Sequence, residues 1–163
     1  MHTDVNNVVA VGWNAGKYTE ADGTIAIGYE AMKVHTTGGN NIAIGYGAMN
    51  DTDAGSTSLG SESNVFIGGD SGGGTWADAA SRYNIGLGVA TLSDALNGAD
   101  GNIAVGYQAG RYVTTGDNNV FIGKQAGDAV TTESGIIAIG SEAAGAITTT
   151  GDYTIAIGHG AIG

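Results

Sequence analysis

The tetrapeptide Ile42-Ala43-Ile44-Gly45 decides the fold, because close variants of it recur along the whole chain. Each copy ends in an anchoring glycine. The first and last of these, Gly12 and Gly158, are 146 residues apart over eight intervals, so the repeat averages about 18 residues. The nine copies are Val9-Ala10-Val11-Gly12, Ile25-Ala26-Ile27-Gly28, Ile42-Ala43-Ile44-Gly45, Val65-Phe66-Ile67-Gly68, Ile85-Gly86-Leu87-Gly88, Ile103-Ala104-Val105-Gly106, Val120-Phe121-Ile122-Gly123, Ile137-Ala138-Ile139-Gly140 and Ile155-Ala156-Ile157-Gly158.

Within each copy, two large aliphatic residues flank a residue that is usually small. Alternation with a period of two is typical of a β-strand, with the flanking pair on one face and the middle residue on the other. Between the strands lie stretches such as Thr114-Thr115-Gly116-Asp117, which carry the residues that tight turns require. An asparagine four residues before the glycine is suited to a corner and can stack in a ladder; it occurs at Asn41, Asn64, Asn84, Asn102 and Asn119.

A unit of this length cannot bury an apolar face alone, so successive units must stack into a solenoid with parallel strands. We expect an all-β fold, a single-column parallel β-solenoid of about nine coils at residues 8–163, preceded by a polar segment at residues 1–7. The repeat predicts irregular excursions near residues 51–63, 69–83 and 92–101, where the spacing lengthens or the pattern weakens.

The strand pattern also predicts an oligomer. If the aliphatic residues fill the coil, each coil buries only a few large side chains, which barely offsets the entropy of ordering its backbone. The small residues would then form an outward face that a second column can approach closely. We therefore expect a closed homo-oligomer, with the oligomer-facing small positions at Ala10, Ala26, Ala43, Ala104, Ala138 and Ala156.

Composition excludes several classes of protein. The chain has 163 residues with 31 glycines, no proline and no cysteine, which excludes a collagen helix, a disulfide-stapled domain and a thiolate zinc site. Its 16 acidic and five basic residues give a net charge of −11, which disfavours nucleic acid and anionic lipid as partners. No apolar run reaches the roughly 20 residues of a membrane span, so we expect no membrane insertion.

The repeat resembles the head domain of trimeric autotransporter adhesins. The resemblance rests on the aliphatic-Ala-Ile-Gly strands with their asparagine corners and covers residues 7–162. It implies a left-handed β-roll packed as a homotrimer. The stretch Asn118-Asn119-Val120-Phe121-Ile122-Gly123-Lys124-Gln125-Ala126-Gly127 is similar to repeats in bacteriophage tail fibres and other phage surface proteins.

Residues with the potential for chemistry are few. The three histidines, His2, His35 and His159, lie at the start of the chain, in a turn and in the last coil, and none belongs to a pattern typical of a catalytic base paired with an acid, so we expect no enzyme. Oxygen-rich turns at Asp51-Thr52-Asp53, and at Asp94 with Asn97 and Asp100, are candidates for calcium, although solvated turn acids are the favoured interpretation and no cofactor is expected. Loops on rigid scaffolds commonly carry binding sites, so the predicted contact residues are Asp70, Trp76, Asp78 and Arg82.

Three functions remain open at the level of sequence. The favoured hypothesis is a non-enzymatic surface protein of a bacteriophage virion, serving as a fibre, spike or capsid decoration module, with other virion proteins or a host receptor as partners. The start of the chain lacks an export signal, which favours the virion. The alternative is the head of a secreted bacterial adhesin, located outside the cell. The third is an ice-binding solenoid, suggested by the threonine pairs at Thr114-Thr115, Thr131-Thr132 and Thr148-Thr149.

Overall fold

The computed structural model describes residues 7–52, 60–76, 79–146 and 152–162. Its strands form a single nine-stranded sheet in which the spatial order is the chain order. Each strand has three residues and coincides with one copy of the repeat. The strands are β1 Val9–Val11, β2 Ile25–Ile27, β3 Ile42–Ile44, β4 Val65–Ile67, β5 Ile85–Leu87, β6 Ile103–Val105, β7 Val120–Ile122, β8 Ile137–Ile139 and β9 Ile155–Ile157.

Every strand pairs in parallel with the next, and equivalent residues of the repeat are partners. Ala26 lies opposite Ala43, for example, and Ala138 opposite Ala156. One turn of chain therefore connects each strand to its neighbour, so the predicted all-β parallel solenoid is confirmed. Eight steps of about 4.8 Å make the sheet about 38 Å tall.

The strands bury the face that was predicted to lie outside, and expose the face that was predicted to lie inside. The middle residue of β2 to β9 points into the coil, whereas the flanking aliphatic residues lie on the outside. The proposed oligomer-facing alanines are thus interior residues: Ala26, Ala43, Ala104, Ala138 and Ala156 are buried within a single chain. Ala10 is exposed only because β1 is the first strand of the sheet. Large side chains from the turns, such as Met32, Met49 and Leu92, share the interior with the middle residues of the strands, so the flanking aliphatic residues are left outside.

Large and small residues alternate inside the coils so that the interior is filled. Where the middle residue is Phe66, two glycines lie against its ring: a Cβ added to Gly72 would lie 2.9 Å from the ring, and one added to Gly86 would lie 2.5 Å from it. In the coils of Ala26 and Ala43, where the middle residue is small, Met32 and Met49 are buried in the same interior. Interiors at crystalline density require this compensation of volume.

The interior asparagines form a continuous hydrogen-bonded ladder. The Oδ1 of Asn84 accepts from the backbone N–H and the Nδ2 of Asn102, at 2.9 Å and 3.1 Å. The Nδ2 of Asn84 donates to the carbonyl of Ala99 at 2.8 Å. The same pattern links the fully buried Asn41, Asn64, Asn84, Asn102 and Asn119. The predicted corner ladder is confirmed, and it satisfies polar groups that would be costly to bury alone.

The anchoring glycines are required by the backbone. Gly123 has φ 135°, a region that side-chain-bearing residues rarely adopt, and a Cβ there would lie 2.5 Å from the carbonyl oxygen of Gly140 in the next coil. At this point the chain leaves the strand and turns a corner. The glycine therefore ends the strand at the equivalent residue of each coil.

The stretches predicted as excursions keep the register of the stack where they are described. In the stretch 69–83, the N–H of Gly72 donates to Thr91 at 2.9 Å and that of Trp76 donates to Asp51 at 3.1 Å. In the stretch 92–101, the N–H of Asp94 donates to Arg111 at 3.0 Å. Residues 53–59 and 77–78 lie outside the described residues.

Candidate interaction surface

The outer face of the sheet consists of two parallel columns of aliphatic side chains, here called the aliphatic face. The first and third residues of every strand contribute to it, and each is valine, isoleucine or leucine. None of the 21 charged residues of the chain occupies any of these positions. The first column is Val9, Ile25, Ile42, Val65, Ile85, Ile103, Val120, Ile137 and Ile155; the second is Val11, Ile27, Ile44, Ile67, Leu87, Val105, Ile122, Ile139 and Ile157.

Much of the aliphatic face is accessible to solvent in the single chain. Ile67 is 39% exposed and Ile122 is 40% exposed, although both lie well inside the sheet. The two columns cover about 38 Å by about 10 Å, roughly 400 Å². Apolar patches of several hundred Å² are often functional, which makes the aliphatic face the candidate interaction surface.

An aromatic column runs beside the aliphatic face, at the residue that follows the anchoring glycine; this residue is aromatic in four of the nine repeats, at Trp13, Tyr29, Tyr46 and Tyr107. The rings of Trp13 and Tyr29 are stacked with their centroids 4.8 Å apart, and those of Tyr29 and Tyr46 are 5.1 Å apart and nearly parallel, at 4°. The backbone holds these residues in register, since the carbonyl of Tyr29 accepts from Gly47 at 2.9 Å and that of Tyr46 accepts from Asp70 at 2.8 Å. The edges of the rings face solvent.

The predicted contact residues do not form one cluster on the surface. Trp76 is fully buried and packs edge-on against Phe66, with ring centroids 5.9 Å apart, so its prediction as a contact residue is wrong. Its coil needs a large residue at that position because the stretch 69–83 remains part of the stack. Asp70 is exposed, and Arg82 is partly exposed with its Nε 3.9 Å from Glu62 Oε1. Asp78 lies outside the described residues.

The acidic turn residues proposed for calcium hold backbone or hydroxyl donors. Asp100 Oδ1 accepts from the N–H of Arg82 at 2.6 Å, and Asn97 Oδ1 accepts from the N–H of Ala79 at 3.0 Å. Asp94 accepts from Ala95 at 2.9 Å, and Asp51 from the hydroxyl of Thr75 at 2.9 Å. These side chains act as corner caps between and within coils. Asp53 lies outside the described residues, and among those described no group of three potential ligands is arranged to hold a metal.

The one described histidine inside the fold is part of the core. His35 is fully buried; its Nε2 lies 2.8 Å from the carbonyl oxygen of Gly38 and its Nδ1 lies 2.8 Å from the hydroxyl of Thr52. Both ring nitrogens therefore stabilise the coil, away from solvent. His159 is exposed in the last coil, and His2 lies outside the described residues.

Sequence reasoning missed the aliphatic face because it assigned these side chains to the interior. A signal was present in the middle residues of the strands. Phe66 and Phe121 are each followed six residues later by a glycine, Gly72 or Gly127. After the alanines of β2 and β3, the residue at the same distance is a methionine, Met32 or Met49. Such compensation between large and small residues is expected only for side chains that share one interior.

A search for similar proteins does not extend the assignment. No family model, no curated protein and no solved structure matches this chain. Within residues 7–52, 60–76, 79–146 and 152–162, no helix is present that has the length and apolar character needed to cross a bilayer. The chain is therefore shown to be a parallel β-solenoid whose sheet carries an uncharged aliphatic face.

Proposed function

We propose that the chain is a non-enzymatic, homotrimeric module on the surface of a bacteriophage virion, where it serves as a fibre, spike or decoration element. The observation that carries the oligomer is the aliphatic face. It extends over all nine strands, contains no charged residue and is partly exposed along its length. The chain has a net charge of −11, yet no charged residue occupies any strand position of this face.

Closed rotational symmetry suits this face. Identical flat faces of three columns can turn inward around a common axis, so that each face contacts both partners and no apolar edge is left over. The six resulting aliphatic columns would form a continuous apolar core between the chains. This arrangement replaces the predicted contact between alanine columns, because those alanines already fill the coils.

Two features support a surface role on a virion. A column held by backbone bonds at every coil is stiff along its axis, which suits a mechanical element. The resemblance of residues 118–127 to repeats of phage surface proteins supports the location. Its partners would be neighbouring virion proteins or a receptor on the host. The adhesin head is the alternative, and the aliphatic face serves that role equally well.

One observation weighs against ice binding. The hydroxyl of Thr114 donates to the carbonyl oxygen of Thr131 at 3.1 Å, so it is used between coils. An ice-binding array needs its hydroxyls free to order water. A measurement of thermal hysteresis tests this third function, and we expect none.

The mass in solution tests the trimer. Multi-angle light scattering should give about 48 kDa, three times the 16.1 kDa of one chain. Ile122→Lys places a charge in the centre of the aliphatic face and should shift the mass towards the single chain. Thr115→Lys, at an exposed corner outside the strands, is the matched control and should leave the mass unchanged. A wild-type mass near 16 kDa would refute the trimer.

The location requires a separate experiment. An antibody against the chain should decorate purified phage particles in negative-stain electron microscopy. Labelling of bacterial cell surfaces, with unlabelled particles, would instead favour the adhesin head.

A further inference from the structure

The aromatic column has a gap at Gly69. The carbonyl of Tyr46 accepts from Asp70 at 2.8 Å, and the carbonyl of Gly69 accepts from Ala90 at 2.9 Å. These bonds place Gly69 directly between Tyr46 and Val89 in the column. Because Gly69 has no side chain, the ring of Tyr46 has no stacking partner on that side. Tyr46 is 62% exposed and Val89 is 50% exposed.

Neither the backbone nor crowding requires glycine at this position. Gly69 is not among the residues with positive φ, unlike Gly68 before it. The nearest atom to a Cβ added at Gly69 is the carbonyl oxygen of Tyr46, at 3.9 Å, which is ordinary contact. Most other glycines at the corners would clash with a neighbouring backbone or ring if they carried a Cβ. The vacancy at Gly69 is thus open space that a side chain could fill and does not.

The dimensions of the gap suit one flat ring. Two steps of the solenoid separate Tyr46 from Val89, about 9.6 Å. The stacked rings of the same column are 4.8 Å and 5.1 Å apart, so a ring inserted midway would contact both walls. The walls are apolar, an aromatic ring on one side and the methyl groups of Val89 on the other. Gly69 forms the floor.

The rim of the gap is polar. Asp70 is exposed, and its Oδ1 lies over Gly47, where it is 2.6 Å from the position of an added Cβ. Gly47 follows Tyr46 in the chain and Asp70 follows Gly69, so this carboxylate lies at the border of the gap as a hydrogen-bond acceptor. A site with apolar walls and a few polar groups at its edge is typical of small-ligand recognition.

We propose that this gap binds the ring of a neutral hexopyranose within a glycan. A pyranose has C–H groups on its faces, which pack on the ring of Tyr46 and on Val89, and hydroxyl groups around its edge, which can donate to Asp70. Acidic sugars are disfavoured by this carboxylate and by the net charge of −11. An aromatic side chain of a partner protein would fit the walls but has no hydroxyl groups around its edge with which to contact Asp70 as a pyranose does.

This inference gives a ligand class to the proposed surface module, and it relies on that proposal only for its biological setting. The gap is formed within a single chain by three successive coils. It follows the corner glycine, outside the strand positions that form the aliphatic face.

The experiment is saturation-transfer NMR with the full chain and a panel of neutral oligosaccharides of glucose, galactose, mannose and N-acetylglucosamine. The wild type should transfer magnetisation to the ring C–H protons of at least one member. Gly69→Tyr continues the aromatic stack through the gap and should weaken binding at least tenfold, while the thermal midpoint is unchanged or higher. Asp70→Ala should weaken binding several-fold. Tyr107→Ala, which removes an exposed ring from the same column beyond Val89, is the control and should bind as the wild type does.

Each outcome bears on the proposal. Absence of binding by every sugar at millimolar concentration would refute it, as would equal binding by Gly69→Tyr. Binding of N-acetyl-tyrosine amide that Gly69→Tyr abolishes, without binding of any sugar, would show a protein side chain to be the occupant and overturn the glycan. The mass of the same sample separates the two proposals, since a trimer that binds no sugar refutes only the gap, and a monomer that binds sugar refutes only the trimer.

Discussion

The ring of Phe121 occupies the space that a side chain at Gly127 would need. A Cβ added to Gly127 would collide with the Cδ1 and Cε1 of this ring. Gly110, from the preceding coil, also lies against the ring, since its added Cβ would lie 2.7 Å from it. One large side chain therefore requires glycine in its own coil and in a neighbouring coil.

This relationship predicts a swap of volumes. Phe121→Ala alone should lower the free energy of unfolding by about 3–5 kcal/mol through an unfilled cavity. Gly127→Met alone should destabilise through overcrowding, typically by about 1–3 kcal/mol. The double variant should lose clearly less than the sum of the two, because it reproduces the arrangement of Ala43 with Met49. The equivalent residue Met49 has φ 47°, close to the φ of 64° at Gly127, so methionine can adopt this backbone.

Chemical denaturation of the four proteins measures the coupling between the two sites. Additive effects within about 0.5 kcal/mol would contradict the shared interior.

The asparagine ladder predicts a large effect from a nearly isosteric change. Asn84→Leu removes the acceptor for two donors of Asn102 and the donor to Ala99. Each buried group left unpaired costs about 1–3 kcal/mol, so the stack should lose several kcal/mol. The control is Asn118→Gly, at an exposed position with φ 55°, where glycine is well tolerated. Equal thermal midpoints for Asn84→Leu and Asn118→Gly would argue against a structural ladder.

The two tryptophans should report opposite environments. Trp76 is fully buried, whereas Trp13 is 60% exposed in the aromatic column. A Trp13→Phe protein, in which only Trp76 remains, should emit at shorter wavelength and resist quenching by acrylamide. A Trp76→Phe protein should emit at longer wavelength and be quenched readily. Strong quenching of Trp76 would place it on the surface, as sequence analysis had predicted for this residue.

Asp128 predicts a pH dependence of stability. Desolvation raises the pKa of its carboxyl above the ordinary value of 3.8; the negative charge of Glu142 adds to this, while a backbone hydrogen bond and Arg111 oppose it. Because the folded state binds the proton more tightly, this group favours folding most below the pKa of the unfolded chain, and that contribution is lost as the pH rises through the folded pKa. Asp128→Asn should therefore be more stable than the wild type at pH 7.

At pH 3 the gain from Asp128→Asn should vanish, because the wild-type carboxyl is protonated in both states. Thermal midpoints at the two pH values measure this difference. Asp70→Asn serves as a control, since Asp70 is an exposed acid in a different coil. A gain of the same size at both pH values would exclude the carboxyl charge as its cause.

Sequence patterns were informative where the physical signal is local. The strands β1 to β9 coincide with the nine predicted copies, because alternation with a period of two and a glycine at positive φ are both properties of neighbouring residues. The asparagine corners were also predictable, since identical polar residues at one position of a stacked repeat can only face each other. The buried Trp76 was not, because its coil was interpreted as an excursion from the stack.

The order of residues in this chain determined a stack of nine parallel rungs, their spacing and their corners, since each depends on a few adjacent residues repeated at a regular interval. It did not determine which side of each rung faces inward, because alternation looks the same when the two faces are exchanged. Packing between distant residues decided that question. Side chains from the turns, such as Met32 and Leu92, fill the interior together with alanine, or phenylalanine packs there against glycines, and the isoleucines and valines of the strands are left outside as a face for another surface.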